Sequence, residues 1–229
     1  KQIKEKYKKA ADNIYDQVLH QQRTAEGNFW HKKIYPQQIW LDGLYMALPF
    51  YMEYEARYNE SRNAADIYRQ FFTVHRIMRD KETGLYYHAY DSSRNSFWCD
   101  KETGLSQNFW LRSLGWFAMA LLDTLNKAAD KNADDWNKLK DIFCEFMAAM
   151  MSGVMNSDKV AEYIELARRM GIEVLGPDIN ISTATFYVQN GAIRFGLAAV
   201  KNIGESMINS VVKIREQGGT FKSLLDFCV

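Results

Sequence analysis

The chain has 229 residues, of which 47% are hydrophobic, and a formal net charge of +1 at pH 7. This length and apolar content suffice for a hydrophobic core in one large domain or two modest ones. The nearly balanced charge excludes a global electrostatic attraction to nucleic acid or membrane, so any such contact must be local.

The cysteines and histidines give no indication of a metal site. Cys99, Cys144 and Cys228 are odd in number and form no Cys-x-x-Cys pair, which favours a reducing compartment over a disulfide framework or a zinc site. The four histidines show no paired ligand spacing. We therefore expect no metal and no cofactor.

Targeting signals are also not evident. The first residues lack an initiator Met and the apolar core of a signal peptide, and no apolar run is long enough to span a bilayer. These features predict a cytoplasmic protein with no membrane contact, and a segment of something longer.

The chain opens with an apolar pattern typical of an amphipathic helix over residues 1–22. A polar loop containing Gly27 follows. It ends in residues 28–33, which combine aromatic and basic side chains, including His31 and Lys32, just before a candidate acid. Basic groups beside an acid suggest an anionic substrate.

The candidate acid is Asp42, which lies between the aromatic residues Trp40 and Tyr45. Aromatic neighbours remove water from a carboxylate and favour its protonated form, which a general acid needs. The alternative is a helix cap, because Asp just ahead of an apolar helical run also accepts backbone N–H bonds. Local sequence leaves both interpretations open.

Two helices and two related turns follow. The pattern predicts helices over residues 41–58, with Pro49 inside, and 62–79, which together form a helical hairpin. The six residues DKETGL then occur at 80–85 and again at 100–105. Each glycine can adopt the left-handed conformation that closes a turn, so we expect two similar turns on one rim of a helical array.

The next aromatic stretch, residues 108–116, leads into a predicted helix from Phe117 to about Asn126. Within it, Arg112 stands with Trp110 and Trp116, a combination suited to binding a carboxylate while stacking on a sugar ring. The alternative is that both tryptophans belong to the core and Arg112 caps a helix or extends to solvent.

Three motifs together indicate a family. They are residues 39–50 (IWLDGLYMALPF), 84–91 (GLYYHAYD) and 109–116 (FWLRSLGW), in this order. Over residues 1–145 the chain resembles the unsaturated rhamnogalacturonyl hydrolases, glycoside hydrolase family 105. The resemblance implies an (α/α)6 barrel, a double ring of helices with its site on the rim.

The resemblance also implies a mechanism and a set of site residues. Asp42 would protonate carbon 4 of the double bond in an unsaturated galacturonyl residue and help water to add at carbon 5, unlike the two-carboxylate glycosidases. The residues implied to bind this unsaturated uronyl oligosaccharide are His31, Lys32, Trp40, Met46, His88, Trp110, Arg112 and Trp116. The family has a further acidic residue upstream and closing helices downstream that this chain lacks, so we expect an incomplete, inactive hydrolase.

From about residue 146 the pattern changes. It predicts a helix over residues 158–170 capped by Gly171, a short strand over 172–175, and a turn over 176–180. A β-hairpin over 185–194 then surrounds an Asn-Gly turn.

Residues 196–205 predict a tight turn between two helices. In a helix-hairpin-helix element, such a turn directs backbone N–H groups at a nucleic-acid phosphate. The residues expected to contact DNA are Lys201, Asn202, Ile203 and Gly204. The alternative is an ordinary helical hairpin.

Residues 146–229 resemble the alpha subunit of bacterial DNA polymerase III, at the end of its fingers region and its first helix-hairpin-helix. The segments that carry the resemblance are 146–150 (FMAAM), 159–164 (KVAEYI), 168–172 (RRMGI), 177–180 (PDIN), 193–197 (IRFGL) and 221–228 (FKSLLDFC). None of that family's palm carboxylates lies here, which implies at most weak, salt-sensitive, non-specific DNA contact.

The predicted fold class is mainly α, with partial (α/α)6-barrel-like helical hairpins followed by a small α+β segment. The expected domains are residues 1–145 and 146–229, joined as a chimera. Three functional hypotheses remain: a glycoside hydrolase, a DNA-binding segment, and a folded helical protein without function. The sequence does not indicate an oligomeric state.

Overall fold

A computed structural model describes residues 2–153 and 157–228, and the fold class is mainly α, as predicted. The chain divides into two compact units, Lys1–Phe143 and Cys144–Val229. In the described part of the chain, no helix combines the length and hydropathy needed to cross a membrane.

The first unit is built mainly from helices. They are α1 (Gln2–Leu19), α2 (Leu41–Tyr58), α3 (Ala64–Met78), α4 (Leu111–Lys127) and the beginning of α5 (Asp134–Ser152). The apolar spacing of α2 and α4 gives each a continuous buried face, and these two helices pack against each other. The predicted helical hairpin of α2 and α3 is confirmed.

A two-stranded antiparallel sheet brings the predicted motifs together. Strand β1 (Gln38–Trp40) pairs with β2 (Ala89–Asp91), with Trp40 opposite Ala89. The Leu41 N–H donates to the His88 carbonyl at 3.1 Å. This pairing places the start of α2 beside His88, although 46 residues separate Asp42 from it in the chain.

The two DKETGL turns have the same local geometry. In each, the Asp carboxylate accepts hydrogen bonds from the Thr backbone N–H and hydroxyl three residues later, at 2.7–2.8 Å. Gly84 and Gly104 have φ of 74° and 78°, the left-handed conformation expected of them. The predicted similarity of the turns is therefore confirmed.

One expectation for the first unit needs correction. Helix α4 begins at Leu111, six residues before the predicted start at Phe117, so Arg112 is helical.

The helix predicted at the start of the chain is confirmed as α1. Its apolar face is only partly covered, since Val18 is half-buried whereas Tyr7 is 69% exposed and Ile14 is 48% exposed.

The second unit combines the end of α5 with α6 (Ser157–Arg169), α7 (Glu205–Gly218) and α8 (Leu224–Cys228). Its sheet has the order β3 (Val174–Leu175), β5 (Ala192–Arg194), β4 (Tyr187–Gln189), with β3 parallel and β4 antiparallel to β5. Asn190 and Gly191 both have positive φ, as the predicted Asn-Gly hairpin turn requires.

The cap of α6 also follows the prediction. Gly171 has φ of 79°, and the Ile172 N–H donates to the Ala167 carbonyl at 2.9 Å, which satisfies a carbonyl at the helix end. One expectation is wrong: the first helix of the predicted helix-hairpin-helix is only a 3-10 turn, Leu197–Ala199, ahead of α7.

Candidate functional site

Asp42 is the second residue of α2, and only 8% of its surface is exposed. Trp40 occupies the N-cap position in an extended conformation, and no side chain caps the helix, so the cap interpretation of Asp42 is wrong. Its carboxylate faces α4 instead. Arg112 Nε donates to Oδ1 at 3.2 Å, and Ser113 Oγ donates to Oδ2 at 2.8 Å.

A cavity of about 400 Å³ opens beside this carboxylate. Every residue that lines it belongs to the predicted site; they are His31, Lys32, Trp40, Asp42, Met46, Arg112 and Trp116. The structure thus brings together residues from three separate stretches of the chain. Two further predicted residues, His88 and Trp110, lie beside this cavity without lining it.

Stacked aromatic rings contact Trp40, and of these His31 also lines the cavity. The His31 and Trp40 ring centroids are 4.5 Å apart at an interplanar angle of 3°, and Tyr35 and Trp40 are 5.3 Å apart at 10°. Rings on opposite faces of an indole would be about 7 Å apart, twice a contact distance of about 3.5 Å. Because His31 and Tyr35 are 6.3 Å apart, both lie on the same face of Trp40.

His88 lies between three tryptophans. Its ring centroid is 6.4 Å from that of Trp40, 6.2 Å from Trp98 and 5.4 Å from Trp110. Its Nδ1 is 3.1 Å from the Asn108 carbonyl oxygen. A carbonyl only accepts hydrogen bonds, so Nδ1 carries the proton, and the Nε2 of a neutral ring is left as an acceptor.

Arg112 is the second residue of α4, so its side chain extends from the first turn of that helix. Its guanidinium carbon lies 3.9 Å from the Trp110 ring centroid, a close cation–π contact. Its side chain is 52% exposed, although its Nε is bonded to Asp42. An exposed planar guanidinium offers its remaining N–H groups to an anion.

His31 is held against the start of α2 by a close approach at Gly43. A Cβ at Gly43 would lie 2.8 Å from His31 Nδ1, so a side chain there would displace the imidazole. Burial lowers the pKa of His31; Lys32 and Arg112 lower it further, while Asp42 opposes them. The imidazole is therefore neutral near pH 7.

Several residues that organise the site could not be predicted from the sequence. Ser113 is fully buried on Asp42, and its position next to Arg112 was the available signal. Gln38 accepts the Trp40 indole N–H at 2.9 Å and donates to Ser96 Oγ at 2.9 Å. No sequence signal marks Gln38, because its role depends on the pairing of β1 with β2. Tyr35 lies in a turn, where no periodic pattern marks it.

No group of three His, Cys, Asp or Glu residues that could hold a metal ion occurs among residues 2–153 and 157–228. The site instead offers one buried carboxylate, cationic groups and stacked aromatic rings. That combination suits acid–base chemistry on an anionic, ring-shaped substrate.

The predicted DNA-contacting residues lie together at the start of α7. Gly204 is the N-cap with no side-chain cap bond, and a Cβ placed on it would meet nothing within 4 Å. Asn202 has φ of 66°, while Lys201 is exposed and Ile203 half-buried. The backbone at this helix start is therefore open to approach from solvent.

Comparison with protein families shows the family of the larger part of the chain. The sequence profile of Glycosyl Hydrolase Family 88 matches residues 1–159, well over half of the chain. The chain belongs to this family. A second profile, of a helix-hairpin-helix motif, matches residues 171–229.

Solved structures agree with the family 88 assignment. A family 105 glycoside hydrolase from C. acetobutylicum is 44% identical, with a TM-score of 0.64, over 67% of this chain and 42% of that chain. A possible family 105 member from Salmonella enterica is 19% identical with a TM-score of 0.54, and this shows likeness of fold alone. The family 88 chain thus spans less than half of these structures, and the predicted hydrolase family and its type of fold are confirmed.

The remaining part has different relatives. DNA polymerase III subunit alpha from Thermus aquaticus is 55% identical over 84 residues, which is 36% of this chain and 7% of the relative. The subunit from Deinococcus radiodurans is 49% identical over 85 residues and 6% of its length. The predicted resemblance to this polymerase subunit is confirmed, so the chain joins parts of two families.

Proposed function

We propose that residues 1–145 form a hydrolase domain that acts on unsaturated uronyl oligosaccharides, with Asp42 as its catalytic acid. The observation that carries this proposal is the cavity beside Asp42, since every lining residue belongs to the set expected for a uronate. A buried carboxylate beside a space open to a ligand is the arrangement that general acid catalysis requires.

The chemistry assigns Asp42 two successive roles. As the acid, its carboxyl gives a proton to carbon 4 of the double bond; as the resulting carboxylate, it accepts a proton from the water that adds to carbon 5. The hemiketal formed at carbon 5 then rearranges, and the glycosidic bond breaks. Ser113 donates to one oxygen of Asp42, and Arg112, which lines the cavity, donates to the other.

The remaining side chains bind and orient the substrate. Lys32 and Arg112 are the cationic groups lining the cavity, and they would pair with the uronate carboxylate. Trp40 and Trp116 would pack on the sugar ring, with Met46 beside them. His88 and Trp110 would bind the part of the substrate that extends past the cavity.

The test uses the loss of ultraviolet absorbance of an unsaturated galacturonyl disaccharide, because hydration removes the double bond. The sequence alone led us to expect an inactive fragment, but because the cavity beside Asp42 retains its expected lining, we now expect slow bleaching by the intact chain and none by Asp42→Asn. Asp141→Asn, an exposed Asp in α5, is the matched control and should bleach at the rate of the unchanged protein. Bleaching by Asp42→Asn at an unchanged rate would exclude Asp42 as the acid.

A second function is proposed for residues 146–229, as a domain that contacts DNA weakly and without sequence preference. The supporting observation is the uncapped start of α7, where Gly204 leaves open space above backbone N–H groups and Lys201 is exposed. A helix N-terminus of this kind attracts phosphate. Because few cations take part, binding should be weak, and added salt should weaken it further with only a shallow slope.

The DNA proposal is tested by fluorescence anisotropy with a labelled duplex at low salt. Gly204→Asp places a negative charge at the helix start and should abolish binding, and Lys201→Gln should weaken it. Lys213→Gln removes an exposed lysine farther along α7 and serves as the control. Equal affinity of all four proteins would exclude the start of α7 as the DNA-binding surface.

We also propose a cytoplasmic location for the chain, which the odd number of cysteines favours.

A further inference from the structure

Gln38 and Trp40 are two residues apart on β1, so their side chains point to the same face of the strand. The Trp40 indole N–H donates to Gln38 Oε1 at 2.9 Å. An indole nitrogen only donates, so this bond fixes which end of the Gln38 amide is the oxygen. The other end, Nε2, donates to Ser96 Oγ at 2.9 Å. Gln38 therefore links Trp40 to the turn that follows β2.

A buried carboxylate on β2 holds this turn. Asp91 pairs with Gln38 across the two strands and is 1% exposed. It accepts the backbone N–H groups of Ser93 at 2.9 Å and Ser96 at 2.8 Å, and the Ser93 hydroxyl at 2.7 Å. The Ser96 side chain also bonds to it. Burial raises the pKa of Asp91, but these hydrogen bonds outweigh it and hold the pKa below the usual 3.8. Asp91 is therefore ionised near pH 7.

The four side chains Asp91, Ser96, Gln38 and Trp40 form a hydrogen-bond chain with a single direction. An ionised carboxylate only accepts, so the Ser96 hydroxyl directs its proton at Asp91 and its lone pairs at Gln38 Nε2. The Gln38 oxygen is then left for the Trp40 indole. Reversing any one bond would leave a buried polar group without a partner, which is unfavourable. The ionised carboxylate thus determines the direction of every bond up to the indole.

Trp40, at the other end of this hydrogen-bond chain, lines the cavity beside Asp42. His31 and Tyr35 stack on one face of its indole, at interplanar angles of 3° and 10°. A stack limits the tilt of a ring but permits it to slide, whereas the directional bond to Gln38 prevents sliding. A ring that is fixed before the substrate arrives loses less conformational entropy when the substrate binds.

We propose that Gln38 is a positioning residue of the hydrolase, which holds the Trp40 indole where the sugar ring packs and is itself anchored by Ser96 and Asp91. The inference rests on the proposed function, in which Trp40 packs on the substrate. Among the described residues, Gln38 does not line the cavity, so it acts through Trp40 on substrate binding rather than on proton transfer at Asp42.

Gln38→Leu is the principal test, because leucine is of similar size and has no hydrogen-bonding group. With the unsaturated galacturonyl disaccharide, we expect KM to rise about three- to tenfold while kcat is nearly unchanged. A second measurement requires no reaction. The indole N–H resonance of Trp40, identified in the NMR spectrum by its loss in Trp40→Phe, should move upfield in Gln38→Leu because its acceptor is gone.

Ser96→Ala and Ser93→Ala are a matched pair. Both hydroxyls bond to Asp91, and of the two it is Ser96 that also accepts from Gln38. Ser96→Ala should shift the Trp40 resonance and raise KM about threefold, whereas Ser93→Ala should do neither. Ser96→Thr keeps a hydroxyl and should restore both values. Because Ser96 is only half-buried, this pair keeps the test decisive if Gln38→Leu does not fold, with circular dichroism to check each variant.

The two measurements separate this proposal from the proposed hydrolase activity. No bleaching by the unchanged protein, together with the expected resonance shifts, would refute the hydrolase activity and support Gln38 as the residue that positions Trp40. An unshifted Trp40 resonance in folded Gln38→Leu would overturn the positioning role whether or not the protein bleaches the substrate. So would a fall in kcat at unchanged KM, or equal effects of Ser96→Ala and Ser93→Ala.

Discussion

Asp42 is bonded at both oxygens, and the two donors differ in their surroundings. Arg112 is half exposed, so a substrate carboxylate can draw its guanidinium away, whereas Ser113 is fully buried in α4. The Ser113 hydroxyl therefore fixes the orientation of the carboxyl throughout the reaction. This makes Ser113 a positioning residue for the proposed catalysis.

Substitution of Ser113 tests this role. Ser113→Ala leaves Oδ2 of Asp42 without its donor, and we expect kcat for the unsaturated disaccharide to fall about tenfold with KM nearly unchanged. Ser113→Thr keeps the hydroxyl and should restore most of the rate. If Thr and Ala variants were equally slow, packing rather than the hydrogen bond would explain the loss.

A second prediction concerns Gly43. Gly43→Ala puts a methyl group 2.8 Å from His31 Nδ1, so His31 must leave its stacked position on Trp40. We expect changed fluorescence of the site tryptophans and a several-fold weaker binding of the uronyl substrate. Gly115→Ala is the matched control, because a Cβ there meets nothing within 4 Å and alanine favours a helix by about 1 kcal/mol. Similar effects of both would contradict the steric argument.

At the scale of single elements, two turns with a glycine at positive φ, one at Gly104 and one at Gly27, separate backbone strain from steric overlap. Gly104 has φ of 78°, and an added Cβ would lie 2.6 Å from the Asp91 carbonyl oxygen. Gly27 has φ of 96°, but its added Cβ would meet only Arg69 Nε, at 3.8 Å. The same substitution thus meets strain alone at one position and strain with overlap at the other.

We expect Gly27→Ala to lower the free energy of unfolding by about 1 kcal/mol, the usual penalty for a non-glycine residue at positive φ. Gly104→Ala should lower it by about 3 kcal/mol or more, because backbone must move to relieve the overlap. Urea denaturation followed by circular dichroism measures both. Equal losses would show that the turn at Gly104 relaxes without difficulty.

Element boundaries show what could be predicted from the sequence. Helix α2 occupies residues 41–58, as its apolar spacing predicts, whereas α4 begins six residues earlier than predicted. Both helices start after a tryptophan in extended conformation, without a side-chain cap. A helix start that lacks Ser, Thr, Asp or Asn at the N-cap gives no local signal, so the start of α4 could not be read from the sequence.

In the first segment of the predicted helix-hairpin-helix, the local pattern fits a helix that the structure does not contain. The small, apolar residues 196–200 are compatible with a helix, but the structure contains only a 3-10 turn there. The Leu197 and Ala198 N–H groups donate to the carbonyls of Thr183 and Ala184 at 2.9 and 3.0 Å. These long-range backbone bonds compete with helix formation and cannot be read from a local pattern.

At the scale of the whole first unit, a fully buried carboxylate links α1, α2 and the start of α3. Glu55 accepts hydrogen bonds from the Tyr15 hydroxyl at 2.6 Å, from Asn59 at 2.9 Å and from the Asn63 backbone N–H at 2.9 Å. Burial raises the pKa of Glu55, but these hydrogen bonds outweigh it and hold the pKa below the usual 4.5. Burial and the nearby Glu55 raise the pKa of Tyr15 to about 12, so Tyr15 remains a donor.

This arrangement predicts acid lability. A carboxyl whose pKa is lowered by folding contributes stability that is present above its unfolded value and is lost as the pH falls through its folded value. We therefore expect the melting temperature to fall as the pH decreases below 4.5. Glu55→Gln should melt at a lower temperature at neutral pH and show a flatter dependence in the same range. Parallel pH curves for the two proteins would remove Glu55 as the cause.

The residues that line the cavity at Asp42 lie in stretches with a recognisable composition. Two of the three motifs, residues 39–50 and 109–116, supply five of them, and His31 and Lys32 of the preceding loop supply the other two, whereas His88 of the third motif lies beside the cavity. These stretches combine aromatic with charged residues. Gln38, which accepts the Trp40 indole N–H, carries no such signal, because its role depends on the pairing of β1 with β2.

His31 lines the cavity beside Asp42 and also a second space between α1 and α2. If a ligand in the second space and a uronate beside Asp42 both act on this ring, the free energy that one transfers to the other is the same in both directions. A ligand there that tightened the binding of a uronate would itself be bound more tightly in the presence of the uronate, by the same factor.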